Sequence, residues 1–240
     1  LMSGPLQLGS YLVLPFALGL VRLRGWHRVS YSALVLIAIL LSYSRAALVA
    51  AGAAMAVLIV FNYRHKLSRR LVLGGTATAL VLGASVLVLA LQWRPLSLLV
   101  FHAEPGKALS ESSTADHFEY SFEAAKDLAE DPLVDGPGTA GPASAFSNEE
   151  RITENYFLQI GLEVGVVGML VFIAITFLVA QKLYSQKNAV LLASFVGINL
   201  MNLLLHTWTD TATAWTWWLF AGINLGSDRL AGPRKPECAD

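Results

Sequence analysis

The sequence predicts an all-α polytopic membrane protein, with about seven transmembrane helices and one large extracytoplasmic loop. Three observations predict it. Hydrophobic residues make up 55% of the 240 and charged residues only 14%, with a mean hydropathy of +0.56. That is the composition of a chain solvated largely by lipid. The apolar residues fall into runs that meet or approach the roughly 20 residues needed to cross a bilayer. The acids are also segregated, since the stretch from Gln92 to Glu154 holds twelve of the seventeen Asp and Glu residues.

In order, the runs are Leu6–Val21, Val29–Leu41, Ala46–Phe61, Leu71–Leu91, Tyr156–Ala180, Ala189–Leu205 and Thr211–Leu225. The second and third are short and are parted only by Ser42-Tyr43-Ser44-Arg45, but together they are too long for one ordinary span. The expected organisation is four transmembrane helices in 1–91, an extracytoplasmic loop in 92–155, three transmembrane helices in 156–226, and a polar cytoplasmic tail in 227–240. Orientation follows from the cations, which concentrate in cytoplasmic loops. Arg22, Arg24 and Arg28 follow the first run, and Arg64, Lys66, Arg69 and Arg70 the third. Lys182 and Lys187 follow the fifth, and Arg229, Arg234 and Lys235 the seventh. Every second junction is basic, so the acidic loop is expected outside the cytoplasm. No basic n-region precedes the first run, and the chain reads as the C-terminal part of a longer membrane protein.

Within the loop, Ser112-Ser113-Thr114-Ala115-Asp116 reads as a capped helix start. Phe118, Phe122, Ala125 and Leu128-Ala129 recur at helical spacing as its apolar face, and Pro132 ends it. Gly136-Pro137-Gly138 and Gly141-Pro142 mark a tight turn region. A loop of this length exceeds a connector and is where chemistry is sought.

Composition excludes several classes. There is no basic domain for nucleic acid, and the one cysteine, Cys238, argues neither a disulfide nor a thiolate metal site. His102, Asp116 and His117 have no metal-ligand spacing, and Asp127, Glu130 and Asp131 read as a solvated acidic face.

Three groups carry candidate chemistry. Arg45 is the only charged residue between Arg28 and Arg64 and sits at an outer boundary. An arginine there either snorkels at a helix end or offers its planar donor fork to phosphate. Arg151, Asn155, Gln159 and Glu163 lie four apart, so a continuous helix would carry them as a polar stripe with Glu154 beside it. Gly161, Gly165 and Gly168 read as helix-packing glycines. Asn199, Asn202 and His206 climb one face toward Asp210, which would orient His206 if that imidazole acts as a base. Trp208, Trp215, Trp217 and Trp218 read as interfacial anchors.

The Ser44-Arg45 boundary, the Ser112-Ser113-Thr114 start, the Pro132–Gly141 turn, and Thr153-Glu154-Asn155-Tyr156-Phe157-Leu158-Gln159 followed by Glu163–Gly168 resemble the C-terminal half of the O-antigen ligase/polymerase superfamily. Asp131 to Leu170 is the most specific part of that resemblance. It implies a GT-C-like helical bundle in the bacterial cytoplasmic (inner) membrane. It also implies transfer of a glycan from an undecaprenyl diphosphate carrier to an acceptor glycan, lipid or protein, with no metal or other cofactor. Arg45 matches the family's diphosphate-binding arginine. Where the family has a post-loop His-Asn, this chain has Glu154-Asn155, and Asp116-His117 stands near the place of a loop-helix arginine. By position and this resemblance together, Glu154 or His117 is expected as the base, and Arg45, Arg151, Asn155, Gln159 and His206 are expected to bind substrate. The rival readings are a transporter for a polar or anionic solute, built on the deep carboxylate Glu163, and a noncatalytic scaffold.

Overall fold

The structure is a computed structural model that describes residues 4–63, 85, 88–89, 91–94, 97, 113–133, 135–146, 151 and 153–230, with backbone alone at 5, 63, 113–118 and 227–230. Among the described residues it is all helical, with no strand. The helices are α1 (Pro5–Arg22), α2 (Gly25–Leu41), α3 (Arg45–Tyr63), α4 (Ser113–Glu130), α5 (Tyr156–Ser185), α6 (Ala189–Met201) and α7 (Thr211–Leu230). Single 3-10 turns lie at Gly141–Phe146 and Thr207–Thr209. Among the described residues, two helices, Arg45–Asn62 and Tyr156–Ser185, are long and apolar enough to cross a membrane, and Leu6–Arg22, Gly25–Leu41 and Ala189–Met201 are shorter apolar helices. The expected span Leu71–Leu91 lies almost wholly outside the described residues, as does most of the tail after 226.

One core joins α1, α2, α3, α6 and α7. Val13, Phe16 and Ala17 of α1 meet Ile39 of α2, Ala47, Ala50 and Ala54 of α3, and Phe195 and Ile198 of α6. Small residues set the spacing of α3 and α6. A Cβ on Gly197 would collide with the carbonyl oxygen of Ala50, so only glycine lets these two backbones approach so closely. Trp208 and Trp217, expected at the membrane interface, are buried, 7% and 0% exposed. Trp217 stacks on Phe195 at 4.5 Å between ring centroids, and its indole N–H donates to the Ser194 hydroxyl. Aromatic burial against α6 gains more than an anchoring role would, while Trp215 is 76% exposed.

The contacts group the helix ends. The Ser10 hydroxyl is 3.0 Å from that of Thr213, and Gly9 lies against Ser42, Ser44 and Ala47. The Tyr156 N–H donates to the carbonyls of Asn202 and Leu205. These contacts gather the start of α1, the α2–α3 turn, the start of α5, the end of α6 and the start of α7 at one end. At the other, Phe61 meets Tyr184 edge-on, and Asn188 donates to Asn224.

A smaller cluster of Ala124, Leu128, Ala140 and Leu162 docks α4 and the turn after it on the first half of α5. The face that α4 buries differs from the expected one. Ala124 and Leu128 point inward, whereas Phe122 is 74% exposed and Ala125 and Ala129 are also exposed. The helix is turned by bonds to the segment before α5: the Ser121 hydroxyl donates to the Thr153 carbonyl, and Asp127 pairs with Arg151.

Candidate functional site

The segment from Thr153 to Glu163 departs from the continuous stripe that its spacing suggested. Helix α5 begins only at Tyr156, because Asn155 is extended (φ −152°, ψ 115°) and its side-chain oxygen accepts the N–H groups of Phe157 and Leu158. This is an N-cap, satisfying two donors that a helix start otherwise leaves open. The Asn155 amide also donates to the Leu203 carbonyl at 3.1 Å. Glu154 just before it is left-handed, with φ +44°, a conformation that costs a side-chain-bearing residue energy and is over-represented at functional sites. Arg151 and Asn155 therefore precede the helix, and only Gln159 and Glu163 share its face.

Arg151 is committed to the loop. Its guanidinium lies 2.6 Å from an Asp135 oxygen and 3.5 Å from an Asp127 oxygen, and its backbone N–H donates to the Ser144 hydroxyl. The arginine ties α4, the glycine turn and the pre-α5 segment together. Its charge is shared between two carboxylates before any substrate arrives.

Glu163 has partners as well. One of its oxygens accepts the Gly138 N–H at 3.3 Å and the Gln159 amide at 3.2 Å. Two residues on, Gly165 breaks α5 with φ +80° and ψ 166°, a region essentially reserved for glycine. In an unbroken helix the Val166 N–H would donate to the Leu162 carbonyl. Here Val166 donates to the Pro132 carbonyl and the Leu162 carbonyl accepts from Asp135. The loop thus inserts into the helix break and satisfies both freed groups, as burial requires. The expected packing role of Gly165 is replaced by this break, while Gly161 does pack, against Leu128.

His206 lies beyond the end of α6, which stops at Met201, and caps the Thr207–Thr209 turn. Asp210 does not orient it. An Asp210 oxygen accepts from the Thr213 N–H and hydroxyl and so starts α7. Asn199 and Asn202 hold Trp208: the indole N–H donates to Asn199 and the backbone N–H to Asn202. Around Glu154 and His206, the buried hydroxyls of Thr153 and Thr207 and the Gln159 carbonyl oxygen have no hydrogen-bond partner among the described residues. Each such atom costs about 1–3 kcal/mol unless something bonds it. Thr153 and Thr207 were not singled out in the sequence, since a lone threonine carries no signal.

Arg45 is the first residue of α3 and half-buried. Buried Ser44 caps that helix, accepting the Ala47 N–H. Arg45 is five residues from Ala50, and Asn202 five from Gly197 on the antiparallel α6. With Ala50 against Gly197, equal helical rises bring Arg45 and the Asn202–His206 turn to one end of the bundle. Tyr156 bonds that same turn, so Glu154 is there too. The backbone of His117 lies in α4, and its side chain is outside the described residues.

An apolar helical bundle in which two of the described helices are long and apolar enough to cross a membrane is the arrangement a helical membrane protein has. Residues 30–131 match the family model described as O-antigen ligase, a stretch that contains Arg45 and α4. The match stops short of 132–170, where the sequence resemblance seemed most specific. No curated protein and no solved structure matches the chain. The family-model match points to similarity with proteins of glycan assembly over this stretch.

Proposed function

We propose that this protein transfers a glycan from a polyprenyl (undecaprenyl) diphosphate carrier to an acceptor hydroxyl on a glycan, lipid or protein, outside the cytoplasm, as cell-surface polysaccharide is built. The observation that carries this reading is the family match across Arg45, on a helix end grouped with the left-handed Glu154. The acceptor oxygen attacks the anomeric carbon, the bond from that carbon to the diphosphate oxygen breaks, and the carrier diphosphate leaves with the electron pair. The acceptor's proton passes to the Glu154 carboxylate, with His117 the second candidate. Arg45 stabilises the leaving diphosphate through paired N–H donors. Arg151 shapes the loop wall and reaches a diphosphate only by giving up Asp127 or Asp135. Gln159 and His206 offer hydrogen bonds to sugar hydroxyls, and Asn155 sets the turn that presents Glu154.

A strain lacking the protein, complemented with single variants, tests this through its surface-glycan ladders. Arg45→Ala and Glu154→Gln should each lower transfer by about a hundredfold or more while the protein still accumulates in the membrane. Unchanged ladders with both variants would defeat the proposal.

The transport reading gains from the break at Gly165 beside Glu163, since broken helices and ionisable groups build transport sites. Here, however, the freed groups bond to Pro132 and Asp135, and Glu163 bonds to Gly138 and Gln159. The break is closed by the loop, which favours the transferase.

A further inference from the structure

The break at Gly165 does more than bend α5. The rings of Tyr156 and Phe157 lie 5.6 and 5.8 Å from that of Phe172. An unbroken helix would hold Tyr156 and Phe172 about 24 Å apart. A Cβ on Gly161 would also sit 3.4 Å from the Met169 sulfur. These pairs centre on Gly165 to within a residue, so the arm 156–164 runs back along the arm 166–185. Helix α5 is a hairpin with Gly165 at its apex.

The fold-back turns on one residue. Gly165, with φ +80° and ψ 166°, is the one non-helical residue from Tyr156 to Ser185. Glycine is at home both in that region and in a helix. Turning its two dihedrals to helical values joins the arms into one rod. The groups at the apex fit that exchange. Folded, the Val166 N–H donates to the Pro132 carbonyl, and the Leu162 carbonyl accepts the Asp135 N–H. Joined, Val166 and Leu162 would bond each other. Pro132 and Asp135 therefore act as a clip on the apex. Three contacts keep the clip seated: Gly138 donates to Glu163, Ala140 is buried with Leu128 and Leu162, and Asp135 pairs with Arg151.

The folded form also carries a cost. Gly141 lies against the Gln159 amide, whose oxygen is buried there with no hydrogen-bond partner among the described residues. Lifting the turn hydrates that oxygen, which offsets part of what the clip bonds contribute. The contacts of Tyr156 and Phe157 with Phe172 work the other way and keep the folded form the ground state.

We infer that α5 is a two-position switch. Clipped, it folds back and holds the Glu154 turn at the end of α6, where the Tyr156 N–H bonds to Asn202 and Leu205. Unclipped, it extends and carries that turn away. The switch belongs to the fold and does not depend on glycan transfer. Where transfer does occur, extension takes the proposed base out of the site.

The test is double electron–electron resonance on the full chain in lipid nanodiscs, with nitroxides at Ile160→Cys and Lys182→Cys in a Cys238→Ser background. The fold-back sets Ile160 level with Leu170, so the clipped form leaves about 18 Å of helix between the labelled levels. The extended form separates them by about 33 Å. The labelled chain should give a main short distance and a minor long one. Arg151→Gln, which releases the Asp135 side chain, should raise the long fraction about two- to fivefold, the range an exposed ion pair supplies. Gly165→Ala should make the long distance the major one. A labelled chain with the short distance alone would overturn the inference, since the break would then be a rigid corner. So would a long fraction that Arg151→Gln leaves unchanged, because the clip would then have no part in it. A Gly165→Ala chain that accumulates and stays short would overturn it as well. If that variant does not accumulate, the Arg151→Gln comparison decides alone.

Discussion

Glu154 combines two properties that a purely structural residue would not need. It holds a left-handed backbone, and it sits between a buried threonine and an N-cap asparagine. A glycine would take the same conformation without strain. Glu154→Gly is therefore expected to raise stability by up to about 1 kcal/mol while abolishing transfer, read by thermal unfolding in detergent beside a glycan-transfer assay. A variant that lost stability would show that the carboxylate is there to hold the fold. At Arg45 the geometry of the donors is expected to matter as well as the charge. Arg45→Lys keeps the cation but loses the paired fork, so it should recover only part of the activity lost in Arg45→Ala. Arg151 is different in kind, because Asp127 and Asp135 already engage it at roughly one-third exposure. Exposed pairs of this sort contribute only about 0–1 kcal/mol, and Arg151→Ala should act on loop position more than on global stability.

Helix α5 is the element on which the site turns. Its cap at Asn155 and its break at Gly165 enclose the turn that carries Gln159 and Glu163. Beyond the break the helix leaves Val167, Phe177 and Leu178 largely exposed, as a helix facing lipid would. Gly165→Ala forces a Cβ into a backbone region closed to it and is expected to cost about 1–3 kcal/mol. If the helix instead straightens, the Pro132 carbonyl and the Asp135 N–H lose their partners, and amide exchange at 132–135 should quicken. Asn155→Ala removes the cap and should cost about 1 kcal/mol. The glycine spacing 161, 165 and 168 was legible as small residues on one face. That the middle one is a break was not legible, because a break is decided by what inserts into it, and the inserting residues lie some thirty positions away.

For the whole molecule the deciding question is which side of the membrane the loop faces. Cys238 is the only cysteine, so a Cys238→Ser background permits single-site labelling. Phe146 is 96% exposed in the loop, and Lys187 is exposed at the opposite end. In intact cells an impermeant maleimide is expected to modify Phe146→Cys and to spare Lys187→Cys. The reverse pattern would sink the glycan-transfer proposal, since a carrier-borne saccharide outside the cytoplasm would not meet the loop.

The sequence alone determined the helical class, the places of six described helices within a few residues, the loop helix between Ser113 and Glu130, and Arg45 at a helix end. These follow from short-range causes: apolar run length, capping serines, and prolines that end helices. The same local signals misled wherever distant groups compete for one residue. Trp208 and Trp217 have interfacial chemistry, but burial against Phe195 outweighs it. Arg151 and Asn155 have helical spacing with Glu163, yet an N-cap and two aspartates take them out of the helix. The face of α4 and the closure of the break at Gly165 were decided only by the tertiary structure. Each depends on a hydrogen bond or close packing between segments that chain position alone leaves far apart.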